Sequence, residues 1–295
     1  MLDWEAILAQ FPAWSGTAEP DFYRDFLGVR TRMSYMPEPY WPLAGTVEGT
    51  PGTDRAGLHD IAEWTGMLQA VLDARDRFTC VELGAGWGPF VVGSAKAAQR
   101  RGIWQIKLVA VEGAQSHLDF MHQHFIDNGL RPEQHRLIHG VVGTYDGVAA
   151  FPHLKEPAIE WGGEAVYTGS ASSAGRTPQR TIDDLEEVAC LTLSSILEGL
   201  PCVDVVHFDI QGSEADVIEQ GIDDLDRKVR RVVIGTHGRD LENRLLHFLD
   251  DRNWTLEMDQ ACSYQQASPH KITLLRDGVQ VWHNNRAGSP VTYRE

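Results

Sequence analysis

The sequence predicts an α/β fold: a doubly wound sheet of five parallel strands, with β additions near the C-terminus and a helical extension in front. Three observations carry this. Residues 78–83 form a mostly apolar run that enters a turn with glycines at 84, 86 and 88, and Pro89 then opens a helix. A second apolar run, residues 106–113, closes on Glu112 and Gly113. Further apolar runs at 136–143, 203–212 and 231–238 keep the strand–helix rhythm going.

The glycine turn suggests the ligand. A dinucleotide fingerprint is G-x-G-x-x-G, whereas this chain has G-x-G-x-G from Gly84 to Gly88, with Glu82 two residues earlier. A diphosphate is repelled by that carboxylate. A ligand bearing an ammonium and a sulfonium is attracted, and S-adenosylmethionine has both. Glu112 lies about 24 residues beyond Gly88, close to the roughly 20 expected of a carboxylate that binds a ribose diol. The competing readings are a nicotinamide oxidoreductase, disfavoured by the spacing, and a binding module with no chemistry.

At 295 residues the chain can bury a full core. Its 42 acidic against 26 basic residues give a formal charge of −16, which argues against a nucleic-acid backbone or an anionic membrane as partner. Cys80, Cys190, Cys202 and Cys262 form no C-x-x-C pair and read as reduced thiols. With no signal-peptide pattern at Met1 and no apolar run of membrane-spanning length, a soluble cytoplasmic protein is expected; its oligomeric state is not legible.

In chain order, residues 1–55 read as an extension that covers the acceptor site. Trp4, Ile7, Leu8 and Phe11 have helical spacing, and residues 21–27 read as a second short helix closed by Gly28. Arg30, Arg32 and Tyr35 follow as candidate acceptor-binding residues, since Arg grips carboxylates and polar groups. The domain proper runs from 56 to 295. Residues 59–74 carry one apolar helix face, and small residues after Gly88 let the next helix sit close to its strand. His117, His122 and His124 have no metal-binding spacing and read as surface histidines. Residues 144–200 read as an irregular insertion, with a turn and short strand at 145–151, a loop at 160–164, a mobile Ser/Gly-rich stretch at 170–179, a short strand at 187–193 and a short helix at 194–200. The C-terminal part returns to strands at 255–258, 271–275 and 279–282, with a turn at Asp277-Gly278.

Three blocks now form a set: residues 81–88, the segment Val111-Glu112-Gly113, and residues 207–214, which read H-F-D-I-Q-G-S-E. Together they resemble the FkbM family of S-adenosylmethionine-dependent methyltransferases, whose D-[VI]-[EQ]-G-x-E signature falls on Asp209 to Glu214. Residues 191–197 are similar to the segment that often precedes it, and the resemblance covers roughly residues 78–237. It implies a Rossmann-like sheet of the class I methyltransferase type, S-adenosyl-L-methionine as cofactor, and a hydroxyl of a sugar, polyketide or similar small natural product as acceptor. The family usually has Lys where this chain has His207, and an acid where it has Gly235.

In open α/β sheets the site lies at the carboxyl ends of the strands. The expected cofactor-binding set is therefore Glu82, Gly84, Gly86, Trp87, Gly88, Glu112, Gly113, Gly140, Val141 and Asp209. Methyl transfer to an alcohol needs a base or a metal. Asp209 and His237 end different strands, so His237 is expected as the base, neutral near pH 7 and supported by Asp209. His207 lies on the same side of its strand as Asp209 and is the third catalytic candidate. Glu214 reads as a helix cap, and no ligand spacing indicates a metal.

Overall fold

The computed structural model describes residues 1–167, 185–268 and 270–286. Its elements run in order: α1 Trp4–Leu8, β1 Phe22–Arg24, β2 Arg30–Arg32, β3 Arg55–Ala56, β4 His59–Asp60, α2 Ile61–Asp73, β5 Arg77–Leu83, α3 Pro89–Arg100, β6 Gln105–Glu112, α4 Gln115–Asp127 and β7 Arg136–His139. Then come β8 Val141–Val142, β9 Gly147–Pro152, β10 Val166–Tyr167, β11 Leu185–Leu191, α5 Leu193–Ile196, β12 Val205–Phe208, α6 Glu214–Lys228, β13 Arg231–Thr236, α7 Arg239–Asp251, β14 Trp254–Gln260, β15 Ser263–Ser268, β16 Lys271–Arg276 and β17 Gly278–Asn284.

The main sheet has seven strands in the order β7-β6-β5-β12-β13-β17-β14. The five from β7 to β13 are parallel, and β17 runs antiparallel between β13 and β14. Parallel strands covered on both faces need continuous apolar runs. Accordingly β12 and β13 are buried throughout, and β5 is buried beyond Arg77. One face packs against α2, α3 and α4 through Trp64, Met67, Val91, Ala95, Met121 and Phe125. The other packs against α5, α6 and α7 through Leu193, Ile218, Leu225, Leu245 and Leu249. Arg231, buried at the start of β13, is bound by Glu257 and Asp73. Cys80, Cys190, Cys202 and Cys262 are all free thiols. No helix among the described residues is long and apolar enough to cross a membrane.

Several expectations need correction. Residues 21–27 are not helical. Phe22–Arg24 pairs with Arg30–Arg32 as a hairpin. Asp25 closes it by accepting N–H bonds from Leu27 and Val29, and Gly28 adopts φ +83°. An aspartate that binds backbone two and four residues on favours a turn over a helix. The extension thus holds one short helix, a hairpin and two 3-10 turns.

The run at 136–143 is not one strand. Gly140 divides it into β7 of the main sheet and β8 of a second sheet. A Cβ at Gly140 would sit 2.7 Å from the carbonyl oxygen of Ala189, so the backbones touch there. Nor is the insertion irregular: β10, β9, β11 and β8 form a four-stranded sheet with its own small core of Val141, Ala149, Phe151, Val188 and Cys190. The expected mobile stretch at 170–179 lies outside the described residues. Asp277-Gly278 is not a turn, because Gly278 already begins β17, and β15 adds a hairpin with β16.

Gly84 sets how closely the first and fourth parallel strands end. It has φ +75°, and a Cβ there would lie 1.9 Å from the carbonyl oxygen of Asp209. Gly84→Ala is expected to cost roughly 2–4 kcal/mol, from left-handed strain plus backbone displacement. Urea unfolding checks this, and a loss below about 0.5 kcal/mol, the level of an unconstrained surface site, would contradict it.

Candidate active site

A cavity of about 410 Å³ opens at the carboxyl ends of β5, β6 and β12. It is built from the glycine turn outward. The N–H groups of Gly84 and Ala85 both donate to the carbonyl of Val111, which ties the turn to the end of β6. Glu112 then reaches back: Oε2 accepts from the Gly86 N–H at 2.7 Å and Oε1 from the Ala114 N–H at 2.8 Å. Glu82 lies beneath the turn and accepts from the N–H of Val91 at 2.8 Å, satisfying the free donors at the start of α3. Burial pushes the Glu82 carboxyl up to about 8, against the pull of His207. A cation in the cavity would lower it again.

Of the expected cofactor set, Glu82, Gly84, Gly86, Trp87, Glu112, Gly113, Gly140, Val141 and Asp209 line this cavity. Gly88 does not line it. Gly88 turns the chain into α3 with φ +72°, its α-carbon facing Met121. A Cβ at Gly86 would meet the Trp161 ring at 3.3 Å, and one at Gly113 would meet Phe151 at 2.7 Å. The cradle is therefore shaped by absent side chains.

Arg30, Arg32 and Tyr35 are displaced from their expected role, because none reaches the cavity. Arg32 grips Asp127 at the end of α4 through Nε at 2.6 Å and Nη2 at 2.9 Å. Arg30 pairs with Glu19 and donates to the Asp127 carbonyl. Tyr35 is buried and stacked on Phe120 at 4.6 Å. They fasten the extension to α4, and its Met36, Pro37 and Tyr40 supply cavity wall instead. His117 and His124 are buried, not superficial, whereas His122 is exposed. His117 lines the cavity, stacked on Trp161 at 3.9 Å, and His124 bonds the Trp87 carbonyl through Nδ1 at 2.9 Å. Their positions on the inner face of α4 gave the only sequence signal, and the polar residue type masked it.

His237 also needs correction. Its ring is buried outside the cavity wall, with Nε2 3.2 Å from Asp209 Oδ1 and Nδ1 3.0 Å from Glu214 Oε1. Burial disfavours its charge, but the adjoining carboxylates of Asp209 and Glu214 outweigh that and raise it to about 10. The ring is therefore an imidazolium at neutral pH and has no lone pair for a proton. Burial likewise opposes ionisation of Asp209, yet His237 holds that carboxyl below its usual range. Glu214 does more than cap α6: it accepts from the N–H groups of Ile210 and Gly212 and staples the turn after β12. In that turn Gln211 adopts φ +56°, a strained conformation for a residue with a side chain. Asp209, Glu214 and His237 each place a ligand atom within 4.8 Å of the others, a cluster that sequence spacing concealed. Since a carboxylate already faces each ring nitrogen, a proton satisfies this clamp.

The sequence profile of the "Methyltransferase FkbM domain" family matches residues 142–264. A protein of Jannaschia sp. (strain CCS1), provisionally named a methyltransferase, is 35% identical over 288 residues, covering 96% of this chain and 100% of its own length. The chain belongs to the FkbM methyltransferase family. Among solved structures, precorrin-6Y C5,15-methyltransferase of Geobacter metallireducens overlaps 77% of this chain and 88% of its own at 12% identity and a TM-score of 0.41. The C-terminal domain of the Rhodobacter capsulatus precorrin-6Y enzyme overlaps 78% and 92% at 13% identity and a TM-score of 0.40. Overlaps this loose bear on neither fold nor substrate. The class I arrangement rests on the strand order itself.

The clamp predicts a pH signature. The folded-state value of His237 lies above its unfolded value, so its stabilising contribution is complete below about 6.5 and is lost as pH rises towards about 10. The stability difference between wild type and His237→Gln should therefore be largest at pH 6 and shrink steadily to pH 10. A difference that is flat across that window would remove the charge from His237.

Proposed function

We propose that this protein transfers a methyl group from S-adenosylmethionine to a hydroxyl of a small organic acceptor. The observation that carries the reading is the composition of the cavity. Its wall holds the acidic side chains of Glu82, Glu112, Glu160 and Asp209, and no Lys or Arg among the described residues. Such a wall suits an ammonium, a sulfonium and a ribose diol. It disfavours a dinucleotide diphosphate or a nucleic-acid backbone.

The residues fit the cofactor. The Gly84–Gly88 turn leaves room for a ligand to approach the backbone, and Glu112 stands at the end of β6 where a carboxylate can accept from two ribose hydroxyls. The cofactor supplies an activated methyl on a good leaving group. The remaining work is orientation of the acceptor and removal of its proton. Asp209, kept ionised by His237, is placed to accept a hydrogen bond from the acceptor hydroxyl and orient it. Tyr40, Trp87 and Trp161 offer flat apolar faces on which a sugar or polyketide ring can lie. Met36, Pro37 and Tyr40 bring the N-terminal extension into the cavity wall, which supports its reading as a cover over the acceptor.

Calorimetry tests the cofactor half. Wild type should bind S-adenosylmethionine and S-adenosylhomocysteine but not NAD. Glu112→Ala should weaken both by roughly 1.5–3 kcal/mol, the scale of hydrogen bonds to a charged group, in protein shown to be folded, although loss of the bonds to Gly86 and Ala114 lowers its melting temperature. Unchanged affinity in a folded Glu112→Ala protein would remove Glu112 from the cofactor site, and tight NAD binding would overturn the reading.

A further inference from the structure

His207, next to last in β12, lines the cavity with its ring almost wholly buried. Its Nε2 lies 3.2 Å from Oε1 of Glu63, in the first turn of α2. Phe90 packs against the ring at 4.2 Å between centroids. The other nitrogen, Nδ1, has no hydrogen-bond partner. A carboxylate that accepts the Nε2–H selects the tautomer in which Nδ1 keeps its lone pair. Buried polar atoms are normally paired, and Nδ1 is buried and unpaired in a ring that lines the cavity, so a proton from a ligand there would satisfy it.

Burial disfavours charge on His207, but the bond to Glu63 and the nearby Glu82 and Asp209 outweigh it and raise the ring above its ordinary value. The other groups around the cavity are less available. His237 is charged and outside the wall. Asp209 is held ionised below the usual carboxylate range and so has little affinity for a proton. Glu82 is committed to the start of α3. Burial pushes His59 down to about 3. Four charged or titratable groups face the His207 ring: Glu63 from α2, Glu82 from β5, Asp209 beyond β12, and His59 just before α2. Asp209, held ionised, and Glu63, bonded to Nε2, favour the imidazolium a base would become.

We propose that Glu63 and His207 form the base dyad of the methyl transfer, with Nδ1 of His207 accepting the proton of the acceptor hydroxyl and Glu63 positioning the ring. This rests on the hydroxyl-directed reading above. The hydroxyl oxygen bonds the methyl carbon using the pair freed from its O–H bond. The proton goes to Nδ1, and the pair of the broken carbon–sulfur bond stays on sulfur, leaving a neutral thioether. Glu63 touches no reactant and acts only through His207.

The test combines ¹⁵N-histidine NMR of the S-adenosylhomocysteine complex with turnover of S-adenosylmethionine on a panel of sugars and hydroxylated metabolites. In the wild type, neutral His207 should be protonated at Nε2 and bare at Nδ1. Glu63→Ala should mix the tautomers and lower kcat roughly 10–100-fold, and Glu63→Asp should restore most of both. His207→Gln should bind S-adenosylhomocysteine normally and lose roughly 10²–10⁴-fold in kcat, the usual worth of a general base. Added imidazole should revive His207→Ala. A wild-type ring protonated at Nδ1, or a folded His207→Gln enzyme within about twofold of wild-type kcat, overturns the dyad. A wild type that binds S-adenosylhomocysteine yet methylates no hydroxyl on the panel overturns the reaction itself, a result distinct from an active enzyme indifferent to His207.

Discussion

The site depends on one close approach, that of the Gly84 backbone to the carbonyl of Asp209. A Cβ at Gly84 would lie 1.9 Å from that oxygen. Without it, the turn after β5 and the end of β12 could not lie side by side. Their contact places the glycine cradle between Gly84 and Glu112 next to the polar groups at the end of β12. The sheet register extends the same constraint inward, since His207 pairs with Glu82 and Phe208 with Leu83. The positions of His207, Asp209 and the Asp209–Gly212 turn all follow from it.

The second theme is how a fold tolerates so many buried acids. Each is satisfied by backbone donors. Glu112 takes two N–H groups, Glu82 holds the start of α3, and Glu214 holds the turn after β12. These bonds cover much of the desolvation cost of a buried carboxylate. They also make each acid a staple for the loop it shapes. His237 completes the pattern as a buried cation between two carboxylates. Removing either acid would leave charge uncompensated, which costs far more than the intact clamp contributes.

The parallel core was legible because it follows from hydrophobic runs and glycine spacing. Residues 78–83, 106–113 and 231–238 declare buried strands, and the glycines after Leu83 declare the turn between β5 and α3. The class I strand order and the cavity position follow from those. What was hidden is long-range pairing. Nothing near residue 237 reveals that Glu214 will face its second nitrogen, so a histidine at a strand end reads as a base. Arg30 and Arg32 read as substrate ligands because their partner, Asp127, lies 95 residues beyond Arg32. Glu63 looks like an ordinary first-turn acid on α2 until the sheet brings His207 beneath it. Within the insertion single strands were legible, but their assembly was not: β11 pairs antiparallel with β9 and parallel with β8, a long-range pairing that no local pattern shows.

The central claim is transfer of a methyl group to a hydroxyl oxygen within this cavity. The most direct measurement supplies S-adenosylmethionine with a ¹³C-methyl to the wild-type protein and the acceptor panel, then reads products by mass and carbon NMR. The account predicts an acceptor heavier by one labelled methyl, with the carbon shift of an O–CH₃ group and one S-adenosylhomocysteine formed per product. A label found on nitrogen or carbon, or S-adenosylmethionine left intact across a panel that includes sugars and polyketide alcohols, would contradict it.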